Sequence, residues 1–382
     1  MSAEAEAVRC LLLAAYDARK RDLPWRGESD PYRIWVAEVM LQQTRVKTVV
    51  PYYRRWIRHF PSLEALAEAR EEEVLLAWQG LGYYARARRL LAAAQVVRER
   101  YGGELPASAE ELRRLPGVGD YTAGAVASMA FGEAVPAVDG NVKRVLARLF
   151  DLPDPGTAEL RGLAGALVDP HRPGDFNQAL MELGSTVCLP RSPLCPSCPL
   201  ETLCLARGRG TVGERPARKG RPAVPGVEMA VVVAVAASVT GAAPEDGGHA
   251  GRPGEARETG ASCGISFFLR KRRGTGLLAG MWEFPGVQVA DAGRARGAAL
   301  ELVGELELDV LGPPVELDAV AHAFTHLKVR YRPFVLWVSG VGSDTEGRWL
   351  GPEELSRVPL PVAQERIAQA AIEVVRHGPQ SL

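Results

Sequence analysis

Four of the six cysteines, Cys188, Cys195, Cys198 and Cys204, fall within seventeen residues in the pattern C-x6-C-x2-C-x5-C. Nothing else in the 382-residue chain restricts its fold as sharply, because thiols so crowded either pair as disulfides or share a metal. The N-terminus, MSAEAEAVRC, is acidic and then apolar, without the basic region and cleavage site of an export signal, so a cytoplasmic protein is expected. Disulfides rarely persist there, and the spacing therefore predicts a metal site. Zinc favours two short paired knuckles whereas iron–sulfur clusters accept less regular spacing, and spacing alone leaves both open. A zinc deaminase would also need His-x-Glu upstream, which none of the six histidines supplies. Cys10 and Cys263 stand apart from this group.

The text on either side of the cysteines differs in period. Segments 33–59, 63–78, 84–101, 108–115, 121–131, 141–150, 158–168 and 176–187 repeat apolar residues at three and four, which predicts helices through residues 1–205. From Ala206 to Gly226 the chain is basic and rich in Pro and Gly, with no hydrophobic face, and reads as a linker. Beyond it, Glu228–Thr240, Ser266–Arg270 and Val329–Val338 read as strands, with helices near 295–304 and 362–376. The tract 241–261 cannot bury a core and is expected to be a disordered insertion. The fold class is thus an all-α domain over 1–205, a linker over 206–226 and a smaller α/β domain over 227–382. No apolar run reaches the roughly 18 residues of a membrane span, so no membrane partner is expected. The charges balance at 46 basic and 46 acidic, so binding to nucleic acid would depend on local devices rather than a bulk field.

Three motifs could supply such devices and a chemistry. Leu115-Pro116-Gly117-Val118-Gly119 lies between two predicted helices, with a capping box at Ser108 and Glu111 opening the unit at 108–131. Two glycines permit a tight hairpin whose backbone N–H groups face outward as an anion nest, a helix–hairpin–helix that grips phosphate without reading bases. A plain helix–helix turn would read the same way in five letters. Asp139, in Val138-Asp139-Gly140-Asn141-Val142, precedes a helix whose dipole and amides would hold it ionised, as a simple cap or as a counter-charge to a developing cation. Glu38, in the apolar run Ile34 to Leu41, would be desolvated into its protonated form unless it lies on a surface. Two carboxyls with opposed environments are what acid-assisted glycosidic cleavage employs.

In order along the chain, WVAEVMLQQTRV, LGYYARAR, LPGVGDYTAGAV, VDGNVKRVL and the four-cysteine loop closely resemble the adenine DNA glycosylases of the MutY type, within the helix–hairpin–helix superfamily shared with endonuclease III. The resemblance covers nearly the whole chain. It implies one [4Fe–4S] cluster on the loop 188–204 and two helical lobes with double-stranded DNA between them. The substrate it implies is adenine mispaired with 8-oxoguanine or guanine. Glu38 then matches the catalytic acid, Asp139 the catalytic aspartate and Asn141 its assistant. Trp25, Arg26 and Glu182 match residues around a flipped adenine, while Gln43 and Tyr83 match side chains that wedge into the duplex. Thr44, Leu81, Gly82, Leu115, Gly117, Val118 and Gly119 fall in the DNA-facing motifs. Bifunctional relatives carry a Lys nucleophile where this chain has Tyr121, which implies base removal with little strand cleavage.

In the second domain, Leu278 to Gly286 looks like the start of a Nudix fold. The stretch Ala299 to Glu307 lacks the adjacent glutamates that hold Mg²⁺ in Nudix hydrolases, so hydrolysis of that kind is not expected. By the same resemblance the domain reads 8-oxoguanine, with Phe324, Thr325 and His326 matching its recognition loop. A monomer is expected. The competing readings are a thymine or uracil mismatch glycosylase on the same helical core, and a non-catalytic DNA-binding redox module.

Overall fold

The computed structural model describes residues 2–217, 220, 223–239, 263–339 and 347–377. They divide into two compact units, Met1–Arg221 and Pro222–Leu382. In the first, the helices run α1 (Ser2–Arg19), α2 (Pro31–Leu41), α3 (Val46–His59), α4 (Leu63–Ala67), α5 (Glu71–Trp78) and α6 (Ala85–Tyr101). They continue as α7 (Ala109–Leu112), α8 (Asp120–Phe131), α9 (Gly140–Leu149), α10 (Thr157–Leu167), α11 (Pro173–Thr186) and α12 (Leu205–Gly208).

Local rules account for the ends that matter. Asp30 caps α2 by accepting from Tyr32 N at 2.9 Å, with Pro31 at the first helical position. The expected single helix over 33–59 is broken at Gln43, whose φ of +58° is left-handed and cannot continue α2. Of the expected capping box, Ser108 accepts from Glu111 N at 3.2 Å. Helix α1 precedes the segments whose apolar recurrence was read, within the helical stretch 1–205.

Leu12, Tyr16, Val145, Leu160, Phe176 and Leu180 bind α1, α9, α10 and α11 together, with Leu200 of the cysteine loop packed against them. In α2 to α5, Trp35, Trp56, Trp78, Leu66 and Leu75 are a second set of fully buried side chains. Trp56 and Trp78 meet edge-on at 5.3 Å between centroids.

The stretch from Ala206, expected as a linker, is folded at its start. Helix α12 and a 3-10 turn at Val212–Glu214 sit on the helical unit. The cause is Asp151, a left-handed, buried residue that receives Arg209 Nη1 at 3.0 Å, Thr211 Oγ1 at 2.5 Å and Arg215 Nε at 2.7 Å. The Thr211 and Arg209 hydrogen bonds hold its carboxyl below the usual range, so the carboxylate stays charged and ties the segment down.

The second unit contains β1 (Gly226–Val239), β2 (Cys263–Lys271), β3 (Trp282–Glu283), β4 (Gly286–Val289), α13 (Ala295–Glu305) and β5 (Asp309–Val310). Then come β6 (Val315–Glu316), β7 (Val320–Ala323), β8 (Lys328–Ser339), β9 (Gly347–Leu350) and α14 (Val362–His377). β1 pairs in parallel with β8 and antiparallel with β2 and β4. Val231, Val233 and Val235 face one core, capped by Ile367 and Ala371 of α14, while Ala230, Val232 and Ala234 face another against Ala299 and Val303 of α13. Burial on both faces is why β1 is continuously apolar. The tract 241–261 lies outside the described residues. Among them, no helix is long and apolar enough to cross a membrane.

Candidate active site

A cleft of about 1030 Å³ opens in the helical unit, lined from α2, the turn after it, the α7–α8 hairpin, α9 and α11. Glu38 projects into it from the last turn of α2 and is only 5% exposed. Burial pushes its carboxyl up to about 7, opposed by the Tyr121 hydrogen bond and assisted by the nearby charge of Asp139. Tyr121 Oη donates to Glu38 Oε2 and lies 3.3 Å from Met181 Sδ. Burial, then the two carboxyls, hold the Tyr121 phenol well above its ordinary range, so it remains a donor.

Asp139 is the N-cap of α9. Its Oδ1 accepts from Val142 N at 2.7 Å and its Oδ2 from Asn141 Nδ2 at 2.8 Å. The expectation that amides and dipole alone would set its charge needs correction. Burial raises the carboxyl, and Val142 N–H, Asn141 and Arg144 oppose that rise. Arg144 Nη2 donates to Asn141 Oδ1 at 3.0 Å and Gly184 O at 2.7 Å, while its Nε donates to Cys188 O at 2.8 Å. It therefore orients Asn141 and ties it to the start of the cysteine loop. Gly184 matters here for its missing side chain, since a Cβ there would stand 2.6 Å from Asn141 Cβ.

On the opposite wall, Glu182 accepts from Arg21 N at 2.8 Å and from Arg26 Nη2. Arg26 Nη1 also donates to Tyr16 Oη at 2.7 Å and to Gln178 Oε1. Trp25 lines the same wall, edge-on to Tyr53 at 5.3 Å. Gln42 Nε2 donates to Thr122 Oγ1 at 3.1 Å and joins α2 to α8.

The cleft thus gathers Trp25, Arg26, Glu38, Gln43, Thr44, Gly117, Gly119, Tyr121, Asp139, Asn141 and Glu182. Not all expected residues behave alike. Leu81, Leu115 and Val118 are buried, so their side chains support the loops rather than face DNA. Val118 N donates to Leu115 O at 3.2 Å and closes the turn, and this amide is not one of the outward donors the motif suggested. Gly117 has φ +76°, the left-handed position such a turn requires. Tyr83 is 46% exposed with φ +49°, and Gly82 O accepts from Trp78 Nε1 at 3.1 Å. Sequence reasoning missed Gln42, Thr122, Arg144, Arg21 and Gln178. Arg144 alone carried a signal, lying one helical turn after Asn141 on the same face.

Cys188, Cys195, Cys198 and Cys204 line one small cavity beside Arg148, whose Nη1 stands 3.3 Å from Cys188 Sγ. Among the described residues no three metal-binding side chains converge closely enough for a single ion. Four thiols around one space are a donor set that either a zinc ion or an iron–sulfur cluster would use.

In the sheet unit, Phe324 N donates to Leu327 O at 2.7 Å and closes the β7–β8 hairpin, leaving Thr325 and His326 exposed at its tip. The Phe324 ring packs against His322 at 4.6 Å.

Residues 36–169 match the HhH-GPD superfamily of base excision DNA repair proteins, and residues 262–370 match the NUDIX domain. The chain is 40% identical to the adenine DNA glycosylase of Homo sapiens over 96% of its own length and 74% of the relative's. It is 32% identical to that of Schizosaccharomyces pombe, over 99% and 92%. A solved thermostable thymine-DNA glycosylase superposes on 54% of this chain and 97% of its own, with TM-score 0.51 and 31% identity. With a helical hairpin fold, a Nudix-like sheet domain and these similarities across nearly its whole length, the chain belongs to the adenine DNA glycosylases of the MutY type, enzymes that hydrolyse N-glycosyl bonds.

Proposed function

We propose that the chain removes adenine mispaired with 8-oxoguanine or guanine from double-stranded DNA, as a monomer, and that it hydrolyses the glycosidic bond without cleaving the strand. The observation that carries this reading is the pairing of Glu38 and Asp139 on one cleft, the first held protonated near neutrality and the second capped by oriented donors.

Adenine cannot be reached inside the stack, so it is flipped into the cleft between Trp25, Arg26 and Glu182. Glu38 donates its proton to a ring nitrogen, N7, which makes adenine a neutral leaving group. The C1′–N9 bond breaks with its electron pair going to the base, leaving an oxocarbenium-like sugar. Asp139 balances that positive charge, with Asn141 fixing its carboxylate. Water adds at C1′, and its proton passes to one of the two carboxylates. The residues lining the cleft include arginines but no lysine among those described, which supports hydrolysis over Schiff-base chemistry.

The four cysteines hold one [4Fe–4S] cluster, which supplies covalent cross-linking of a loop that has little core of its own. Arg148 and Arg144 seat that loop against α9. The sheet unit reads 8-oxoguanine through Phe324, Thr325 and His326.

Single-turnover excision on A·8-oxoguanine, A·G and T·G duplexes tests the reading. Adenine release from the first two, with unbroken strands before alkali and brown iron- and sulfide-containing protein, is expected. Preferential thymine release would replace it with the mismatch reading on the same core, and colourless active protein holding zinc would overturn the cluster.

A further inference from the structure

The densest set of hydrogen bonds outside the described chemistry belongs to one guanidinium. Arg86 is the second residue of α6. Its Nη1 donates to Val39 O at 2.9 Å, Met40 O at 3.0 Å and Gln42 O at 2.6 Å. Its Nη2 donates to Thr44 Oγ1 at 3.2 Å, Leu81 O at 3.4 Å and Gly82 O at 3.1 Å. One nitrogen therefore serves the C-terminal carbonyls of α2, and the other bridges the turn after α2 to the loop after α5. Its plane also lies 5.2 Å from the Trp78 ring and 5.5 Å from the Tyr83 ring.

These two loops share a rare feature. Each carries a non-glycine residue in the left-handed region, Gln43 at φ +58° and Tyr83 at φ +49°, and both side chains are exposed. That conformation is strained for a side-chain-bearing residue and persists only where the surroundings impose it. Helix carbonyls at a C-terminus lack partners, and a cation there also meets the negative end of the dipole. A planar fork reaches six acceptors on the end of α2 and the two loops at once, which an ammonium on a flexible stem does not.

We propose that Arg86 is a positioning residue that locks the Gln43 turn and the Tyr83 loop into one unit, so that the two side chains enter the duplex together when adenine is extruded. This rests on the reading of Gln43 and Tyr83 as duplex-wedging side chains. Arg86 does not touch the base. It fixes the spacing between the two tips, and the loss of either tip then costs little more once the clamp is gone.

The test uses the full chain and a duplex with 2-aminopurine in place of adenine opposite guanine, whose fluorescence rises as the base unstacks. The rise is followed by stopped flow in the Glu38→Gln background, so that extrusion is seen apart from chemistry. Arg86→Lys, Tyr83→Ala and Gln43→Ala are each expected to slow the rise about tenfold, and Tyr83→Ala added to Arg86→Lys should slow it less than threefold further. Thr44→Val, which deletes one contact, should slow it severalfold with an unchanged thermal melt. Multiplying effects of Arg86→Lys and Tyr83→Ala, or an unchanged rise in Arg86→Lys, would overturn the clamp. An unchanged rise in both Tyr83→Ala and Gln43→Ala would show instead that the wedge reading had failed, and the clamp with it.

Discussion

In the helical unit, Glu38 is 5% exposed with a phenol donating to its carboxyl, and Asp139 has a partner on each oxygen. In the sheet unit, Thr325 and His326 stand exposed on a two-residue hairpin tip closed by the Phe324–Leu327 bond. Proton transfer and charge balance need groups already desolvated and oriented, since water would undo both. Contact with a base edge needs only a side chain carried on a scaffold that reaches it, because the partner itself completes the burial. The two regions should therefore fail differently when changed.

The largest effect belongs to the buried acid. Glu38→Gln keeps the shape and accepts from the same phenol, yet has no proton to give. Single-turnover excision should drop by about 10²–10⁴-fold while affinity for mispaired duplex holds. A rate within about threefold of the parent would end the assignment. Asp139→Asn follows at roughly 10²–10³-fold, because an amide does not balance a cation in a closed site. Were Asp139 merely a cap, the variant would lose only about 1 kcal/mol of stability and keep its rate, so melting and kinetics on one preparation separate the two.

The exposed tip should behave otherwise. His326→Ala should lower the preference for A·8-oxoguanine over A·G by about 5- to 150-fold, the size of one side-chain contact to a base, and leave the A·G rate and the melting temperature alone. An unchanged ratio with a lower melting temperature would make His326 a packing residue and erase the contrast.

pH sharpens the comparison further. Glu38 works in its protonated form, so excision should decline about tenfold per pH unit above about 7, and the Glu38→Gln remnant should show no such decline. Stability changes in the same window. Unfolded, the carboxyl releases its proton near its ordinary 4.5, while folded it keeps it to about 7. Between these values the folded chain binds more protons, and stability falls as pH rises, by roughly 3 kcal/mol at most. Glu38→Gln removes that loss and should melt above the parent at pH 8, with the gap narrowing towards pH 5.

Much of this was legible in the letters. Apolar recurrence located most long helices, Gly117 and Gly119 marked the hairpin, and the cysteine spacing marked the loop. The long strands β1, β2 and β8 were visible because each carries an apolar, β-branched or aromatic stretch long enough to read. β3, β5 and β6 have two residues each, too few to alternate, and exist because β2 or β8 offers them an edge. The carboxyls of Glu38 and Asp139 could be singled out, but their convergence could not. Gln42 on Thr122, Arg144 on Gly184 and Arg86 on Gln42 are meetings of segments tens of residues apart, with no pattern in either segment to announce them.

Gly184 shows where residue-by-residue intuition about substitutions misleads. It lies inside α11 with ordinary helical neighbours, and replacing a helical glycine by alanine usually favours the helix by roughly 1 kcal/mol. Here the added methyl would press on Asn141 and push it away from Asp139. A variant at this position would score as benign, even beneficial, by helix preference. Its defect would fall on the contact between Asn141 and Asp139, though the residue changed contributes no functional group at all.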